Sequence, residues 1–363
     1  MRVALDVSAV PEKPVGAGVY VLRLAETLAT REEVDLLLVS RRDDGERWQA
    51  LGDVAAVVPS PRPARLAWEQ TLALRIEADV WHGPHYTMPL LRRGPTVVTL
   101  HDTTLLEHPE WHERGKVLYF GAMIRAAARR ADVLVAVSHH TARRFASVLH
   151  PRQAVVVAHL GVDTDRFRPE GPDDDALLAG VGARPPFVAF AGTLEPRKDV
   201  PSLVRAFDRL ADPSLQLVIA GGRGWGADEI DASVAASPSG DRILRPGYVD
   251  DAVVPALFRR AAAVAYPSLE EGFGLPALEA LACGAALVTT TGSAMEDVVD
   301  DAAVLVPPAD DAALADALRR VLAGGPDVER LRRRGPEVAA RYTWEACADA
   351  HVDAYRRAVE RHR

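Results

Sequence analysis

The sequence predicts an α/β protein built as two successive parallel-sheet domains, and three observations carry that reading. Short β-branched runs alternate with amphipathic stretches along the whole chain, the pattern of strands joined by crossover helices. A polar, Pro/Gly-rich segment, Arg168-Pro-Glu-Gly-Pro-Asp-Asp-Asp, splits these runs into two sets and reads as a linker. At 363 residues the chain is also long enough for two domains of ordinary size. The predicted boundaries are 1–165 and 166–344.

Taken in order, the first set of strands falls at 3–7, 35–39, 54–58, 79–82, 96–100, 133–137 and 154–158. Each is a short apolar run bounded by turn residues or by a helical pattern. The second set falls at 187–191, 216–220, 243–245, 261–265, 286–290 and 303–306. Asp173-Asp174-Asp175 resembles an acidic metal triplet, but it immediately precedes a helical stretch from Ala176 and reads as a helix start. The segment 344–363 is helical.

Composition narrows the function. The chain is 48% apolar and 26% charged, without low-complexity tracts. No apolar run reaches bilayer-spanning length, and residues 2–7 read as a strand rather than a signal peptide. Cys283 and Cys347 lie far apart, which favours a reducing cytoplasm over disulfides or a cysteine metal site. The net charge of −8 argues against nucleic acid as a partner. Residues 1–170 are almost neutral, with 22 basic and 21 acidic side chains, and tolerate an anionic acceptor or membrane surface better than the acidic remainder.

The most informative run is Ala-Tyr-Pro-Ser-Leu-Glu-Glu-Gly-Phe-Gly-Leu-Pro-Ala-Leu-Glu-Ala-Leu-Ala-Cys-Gly, 265–284. A strand feeds a loop in which Gly272 and Gly274 allow close approach of a ligand, and Pro276 suits a first helical turn. The amides of Phe273, Gly274 and Leu275 then form a seat for an anion. Glu271 stands on the loop and Glu279 is expected in the first turn. Two carboxylates for hydroxyls and amides for a phosphate suit a ligand that is part sugar, part phosphate.

This stretch resembles the E-x7-E signature of retaining glycosyltransferases of family 4. The resemblance extends over nearly the whole chain and implies the GT-B fold: two Rossmann-like α/β/α domains facing each other across a deep cleft. It implies that domain 1–165 takes the acceptor, that 166–344 binds the nucleotide-sugar donor, and that helix 345–363 packs back on the first domain.

The remaining motifs follow strands, where α/β domains bind ligands. Pro14-Val15-Gly16-Ala17-Gly18 lacks the third glycine of a dinucleotide fingerprint, because position 21 is Val. By resemblance, Gly16 and Gly18 instead turn backbone amides toward the donor diphosphate and acceptor. Leu100-His101-Asp102 leaves a core strand; in similar enzymes the histidine lies beside the donor sugar, fixed by the following Asp or by neighbouring backbone. Glu195-Pro196-Arg197-Lys198 resembles the family's basic element, so Arg197 and Lys198 are expected on the leaving diphosphate. Arg245-Pro-Gly-Tyr-Val resembles the segment beside the nucleotide base, making Tyr248 and Val249 base-pocket candidates. Trp68-Glu69-Gln70 also resembles a family element of the acceptor domain. His82 and His85 have metal-like spacing but no third ligand, so cleft lining on the acceptor side is expected and no metal is implied.

The expected reaction transfers a hexosyl group from a nucleotide diphosphate sugar to an acceptor hydroxyl with retention. GDP-mannose is the favoured donor, with UDP sugars close behind, and no cofactor is needed beyond this co-substrate. Catalytic candidates are His101, Asp102 and Glu271; donor contacts also come from Gly272, Phe273, Gly274, Leu275 and Glu279. The alternatives are a sugar-nucleotide 2-epimerase or hydrolase of the same architecture, or a non-catalytic sugar-nucleotide binder. The stretch 111–131 mixes apolar and basic residues and reads as a helix packed on its domain core, the other placement being peripheral contact with the inner membrane face.

Overall fold

The computed structural model describes residues 1–362 and divides into two compact units, Met1–Gly161 with the helix Trp344–His362, and Val162–Thr343. The first unit holds β1 (Arg2–Asp6), β2 (Asp35–Arg41), β3 (Asp53–Val58), β4 (Val80–Gly83), β5 (Thr96–Leu100), β6 (Val133–Ala136) and β7 (Val155–Val157). They form one sheet in the order β3-β2-β1-β4-β5-β6-β7, with every pairing parallel. β4 and β5 are buried along their whole length, polar His82, Thr96 and Thr99 included, as central strands of a parallel sheet are.

The second unit holds β8 (Phe187–Ala191), β9 (Gln216–Ala220), β10 (Ile243–Gly247), β11 (Ala263–Tyr266), β12 (Leu287–Thr290) and β13 (Ala303–Val306). Their order is β10-β9-β8-β11-β12-β13, again parallel throughout. Both sheets therefore reverse direction beside their first strand, between β1 and β4 and between β8 and β11. Ligands of doubly wound sheets bind outside the carboxyl ends of the strands at such points.

The helix Arg114–Arg130 puts Met123, Ile124, Ala127 and Ala128 into the core, with Val117 and Phe120 packed beside them. Leu118 points outward and is 76% exposed. Among the described residues no helix is long and apolar enough to cross a membrane. Asp174 and Asp175 open the helix Asp174–Val181 and pair with Arg259 and Arg260, so the acidic triplet serves helix and ion-pair chemistry.

Candidate functional site

At the switch point of the second unit, two loops are stitched together. Tyr266 Oη donates to the Ala191 carbonyl at 2.6 Å, tying the ends of β8 and β11. Leu269 N–H donates to the Arg197 carbonyl at 2.8 Å, joining the loops beyond them. The turn Pro196–Lys198 thereby carries Arg197 and Lys198 against Glu271. Lys198 Nζ and Ser268 Oγ (2.9 Å) both donate to Glu271 Oε1, and Arg197 Nη1 donates to Oε2 at 2.7 Å. Arg197 Nε also donates to Glu195 at 3.1 Å. Lys198 and Glu271 are each only 5% exposed.

Burial pushes the Glu271 carboxyl up, but the charges of Arg197 and Lys198 outweigh it and hold the group at about 2. Burial and the adjacent Arg197 lower Lys198, with Glu271 opposing them. Sequence reading places Glu271 before a donor sugar and the two cations before a diphosphate. In the structure these three side chains hold one another, because a buried charge needs a partner close by. An ionised carboxylate has about four lone-pair directions. Three are used by Lys198, Ser268 and Arg197, and one is left.

Gly274 caps the helix Leu275–Ala282 with φ 93°, and a Cβ there would lie 2.1 Å from Met295 Sδ. Both facts require glycine. Phe273 packs on Tyr342 with ring centroids 5.7 Å apart, and Gly272 is buried beside it. Because the helix begins at Leu275, Glu279 falls in its second turn, not the first. It is half-buried, and its charge helps raise the buried Tyr266 hydroxyl, chiefly raised by burial itself. Tyr248 and Val249 follow edge strand β10, away from the β8/β11 reversal; Tyr248 is 45% exposed and Val249 is buried.

In the first unit Gly16 (φ 50°) caps the helix Ala17–Leu28, and Gly18 lies in its first turn, where a Cβ would meet Pro11 at 3.2 Å. His101, just past β5, sits 2.8 Å from the Pro84 carbonyl through Nε2. A carbonyl only accepts, so Nε2 carries the proton and the neutral ring offers Nδ1 as an acceptor. Burial lowers the His101 pKa, which favours that neutral form. Asp102 does not hold the ring: its Oδ1 accepts from Thr104 N (3.0 Å) and Oγ1 (2.6 Å), and its charge alone acts on His101. Ring contacts surround His101, with Tyr20 at 5.1 Å, Tyr86 at 5.4 Å and His85 at 5.5 Å.

His82 departs from expectation. It is fully buried, with Nδ1 2.8 Å from Tyr355 Oη and Nε2 2.8 Å from Thr99 Oγ1. Thr99 and His351 each lie 2.8 Å from Tyr20 Oη, and His351 Nδ1 is 2.7 Å from the Cys347 carbonyl. His82 is thus part of a core network rather than cleft lining, and both its ring nitrogens are spent there. Sequence spacing gives no signal of this, since Tyr355 lies 273 residues from His82 and His351 lies 331 from Tyr20.

Residues 179–338 match the family described as glycosyl transferases group 1, and residues 14–166 match glycosyltransferase family 4. The O-antigen chain mannosyltransferase B of Escherichia coli is 30% identical over 301 residues, covering 81% of this chain and 77% of that protein. The chain belongs to the group 1, family 4 glycosyltransferases. Among solved structures, sucrose-phosphate synthase from Thermosynechococcus elongatus superposes with a TM-score of 0.80 at 22% identity, covering 98% of both chains. HepE from Anabaena, in complex with UDP-glucose, gives 0.78 at 19% identity over 97% of this chain and 98% of that one. These likenesses establish the GT-B fold for this glycosyltransferase.

Proposed function

We propose that this glycosyltransferase moves a hexosyl group from a nucleotide diphosphate sugar to an acceptor hydroxyl with retention of anomeric configuration. The observation that carries the reading is the Arg197–Glu271–Lys198 cluster at the β8/β11 switch point, with Glu271 and Lys198 buried. Departure of a nucleoside diphosphate leaves an oxocarbenium-like carbon, as in glycoside hydrolysis, and stabilising the leaving group requires prearranged positive charge. Glu271 keeps the arginine fork and the lysine charge assembled before any donor arrives. The Gly274–Leu275 helix start adds backbone donors for the same anion.

Glu271 retains one acceptor direction for a donor-sugar hydroxyl, and Glu279 is assigned to the ribose hydroxyls. His101 Nδ1 accepts a hydroxyl of the transferred sugar, and Gly16 and Gly18 bring backbone close to the diphosphate. Asp102 acts by shaping the turn after His101, while Tyr248 and Val249 are assigned to the base. No side-chain nucleophile is required if the leaving phosphate takes the acceptor proton on the same face. The mannosyltransferase relative favours GDP-mannose as donor; UDP-glucose in the HepE complex keeps UDP sugars as the next choice. Both cysteines are buried free thiols, which suits a reducing cytoplasm.

The test is nucleoside diphosphate release from GDP-mannose, UDP-glucose and UDP-N-acetylglucosamine, with the product's anomeric configuration read by NMR. GDP release and an α-linked product are expected, with K198A lowering kcat at least a hundredfold. No release from any donor, or an inverted product, would sink the reading.

A further inference from the structure

Glu69 is a buried carboxylate that the donor site does not use. It lies on the helix Arg62–Thr71 and is 4% exposed. Oε2 accepts from Tyr119 Oη at 3.2 Å, but Oε1 has no hydrogen-bond partner among the described residues. The adjacent Gln70 amide is fixed elsewhere: Nε2 donates to the Met88 carbonyl and Oε1 accepts from Leu90 N–H, each at 3.0 Å. A buried polar atom left unpaired is costly, so a ligand that supplies the missing donor is favoured there.

Its surroundings make the isolation sharper. Asp6 ends β1, its carboxylate accepting from Ser8 N–H at 2.9 Å, and its negative charge acts on Glu69. Arg65, on the same helix, donates to the Ser8 carbonyl at 2.9 Å and lies near both acids. Arg62 sits over the Phe120 ring at 5.9 Å. Burial, then Asp6, raise Glu69 to about 7, with Thr87, Tyr119 and Gln70 opposing.

The cluster is continuous with His101. Tyr119 packs on Phe120 at 5.2 Å, Phe120 on His85 at 5.4 Å, and His85 on His101 at 5.5 Å. All of these residues stand at the carboxyl edge of the first unit's sheet, after β1, β4 and β5 or on helices packed there. A carboxylate oxygen that lacks a donor, beside aromatic rings, suits a carbohydrate: a hydroxyl donates to Glu69 Oε1 and the sugar's C–H face covers a ring.

We propose that Glu69, with Asp6, Arg65 and Tyr119, forms the acceptor subsite, in which a hydroxyl of a carbohydrate acceptor donates to Glu69 Oε1. This rests on the glycosyl-transfer reading above and adds a residue and a ligand class to it. Glu69 binds and orients; the proton removed during transfer leaves from a different acceptor hydroxyl.

The experiment measures transfer to octyl mannoside, octyl glucoside and octyl N-acetylglucosaminide, alongside nucleoside diphosphate release without them. In E69Q, KM for the accepted glycoside should rise at least tenfold more than KM for the nucleotide sugar. The inflection near pH 7 in acceptor kcat/KM should disappear in E69Q and move to higher pH in Y119F, which loses a hydrogen bond that favours the ionised acid. Equal changes in the two KM values, an unaltered pH profile in both variants, or wild-type enzyme ignoring all three glycosides while releasing nucleoside diphosphate would overturn the subsite. Absence of release from every donor would instead refute the donor reading on which it rests.

Discussion

In the first unit, Tyr20, His82, Thr99, His351 and Tyr355 lie in the core without a formal charge; in the second, buried Lys198 and Glu271 meet half-buried Arg197 as ions. The neutral set has one proton order. His351 Nδ1 must donate to the Cys347 carbonyl, so its Nε2 accepts from Tyr20. Tyr20 oxygen then accepts from Thr99, Thr99 accepts from His82 Nε2, and His82 Nδ1 accepts from Tyr355. Every member is satisfied, starting and ending on the helix Trp344–His362. The ionic set is held by attraction between charges that would be costly apart. One network secures a scaffold; the other stores charge where a charged leaving group is proposed to form.

Breaking the ionic set should have the largest effect. E271Q leaves Arg197 and Lys198 facing each other in a buried site, a loss of about 3–5 kcal/mol, measurable by urea denaturation. The double variant E271Q/K198M should lose less than the sum of the two single changes, since both remove the same interaction. Simple additivity would show that the pair is not coupled.

Acid should separate the two networks next. Burial lowers His351 to about 4 and His82 well below its usual value. The unfolded chain therefore binds protons that the fold refuses. Stability is full above about pH 6.5 and falls as pH drops toward 4, by roughly 3 kcal/mol for His351. Glu271, held at about 2, keeps its full contribution above pH 4.5 and loses it only on further acidification toward 2. At pH 5, amide exchange should accelerate in peptides from 344–362 and remain slow around 266–275. Equal acceleration in both would erase the distinction.

The smallest expected change comes from Y355F, which removes one donor and leaves His82 Nδ1 unpaired, at about 1–3 kcal/mol. Calorimetry should show a lower Tm with donor KM unaltered. A shifted donor KM would mean that the scaffold network reaches the chemistry.

Much of the fold was legible because buried parallel strands announce themselves as short apolar runs. β5, β8, β9 and β13 match their predicted ranges, while β11 begins two residues late, at Ala263 rather than Ala261. Local motifs also placed Arg197, Lys198 and Glu271 after neighbouring strands. Their mutual pairing was not legible, since it depends on Leu269 and Tyr266 drawing two loops together. Glu279 was misplaced by one turn because the left-handed cap at Gly274 fixes where the helix starts. Glu69 gave only a faint signal: an orphaned oxygen is a property of packing, not of spacing.

The helix Trp344–His362 carries both ends of the neutral network yet follows the whole of the second unit in the chain. During synthesis the continuous segment Val162–Thr343 can complete its core as it emerges from the ribosome, while the earlier unit waits. Tyr20 and His82, made early, remain without His351 and Tyr355 until this helix is added. The half translated first is thus the last to finish folding.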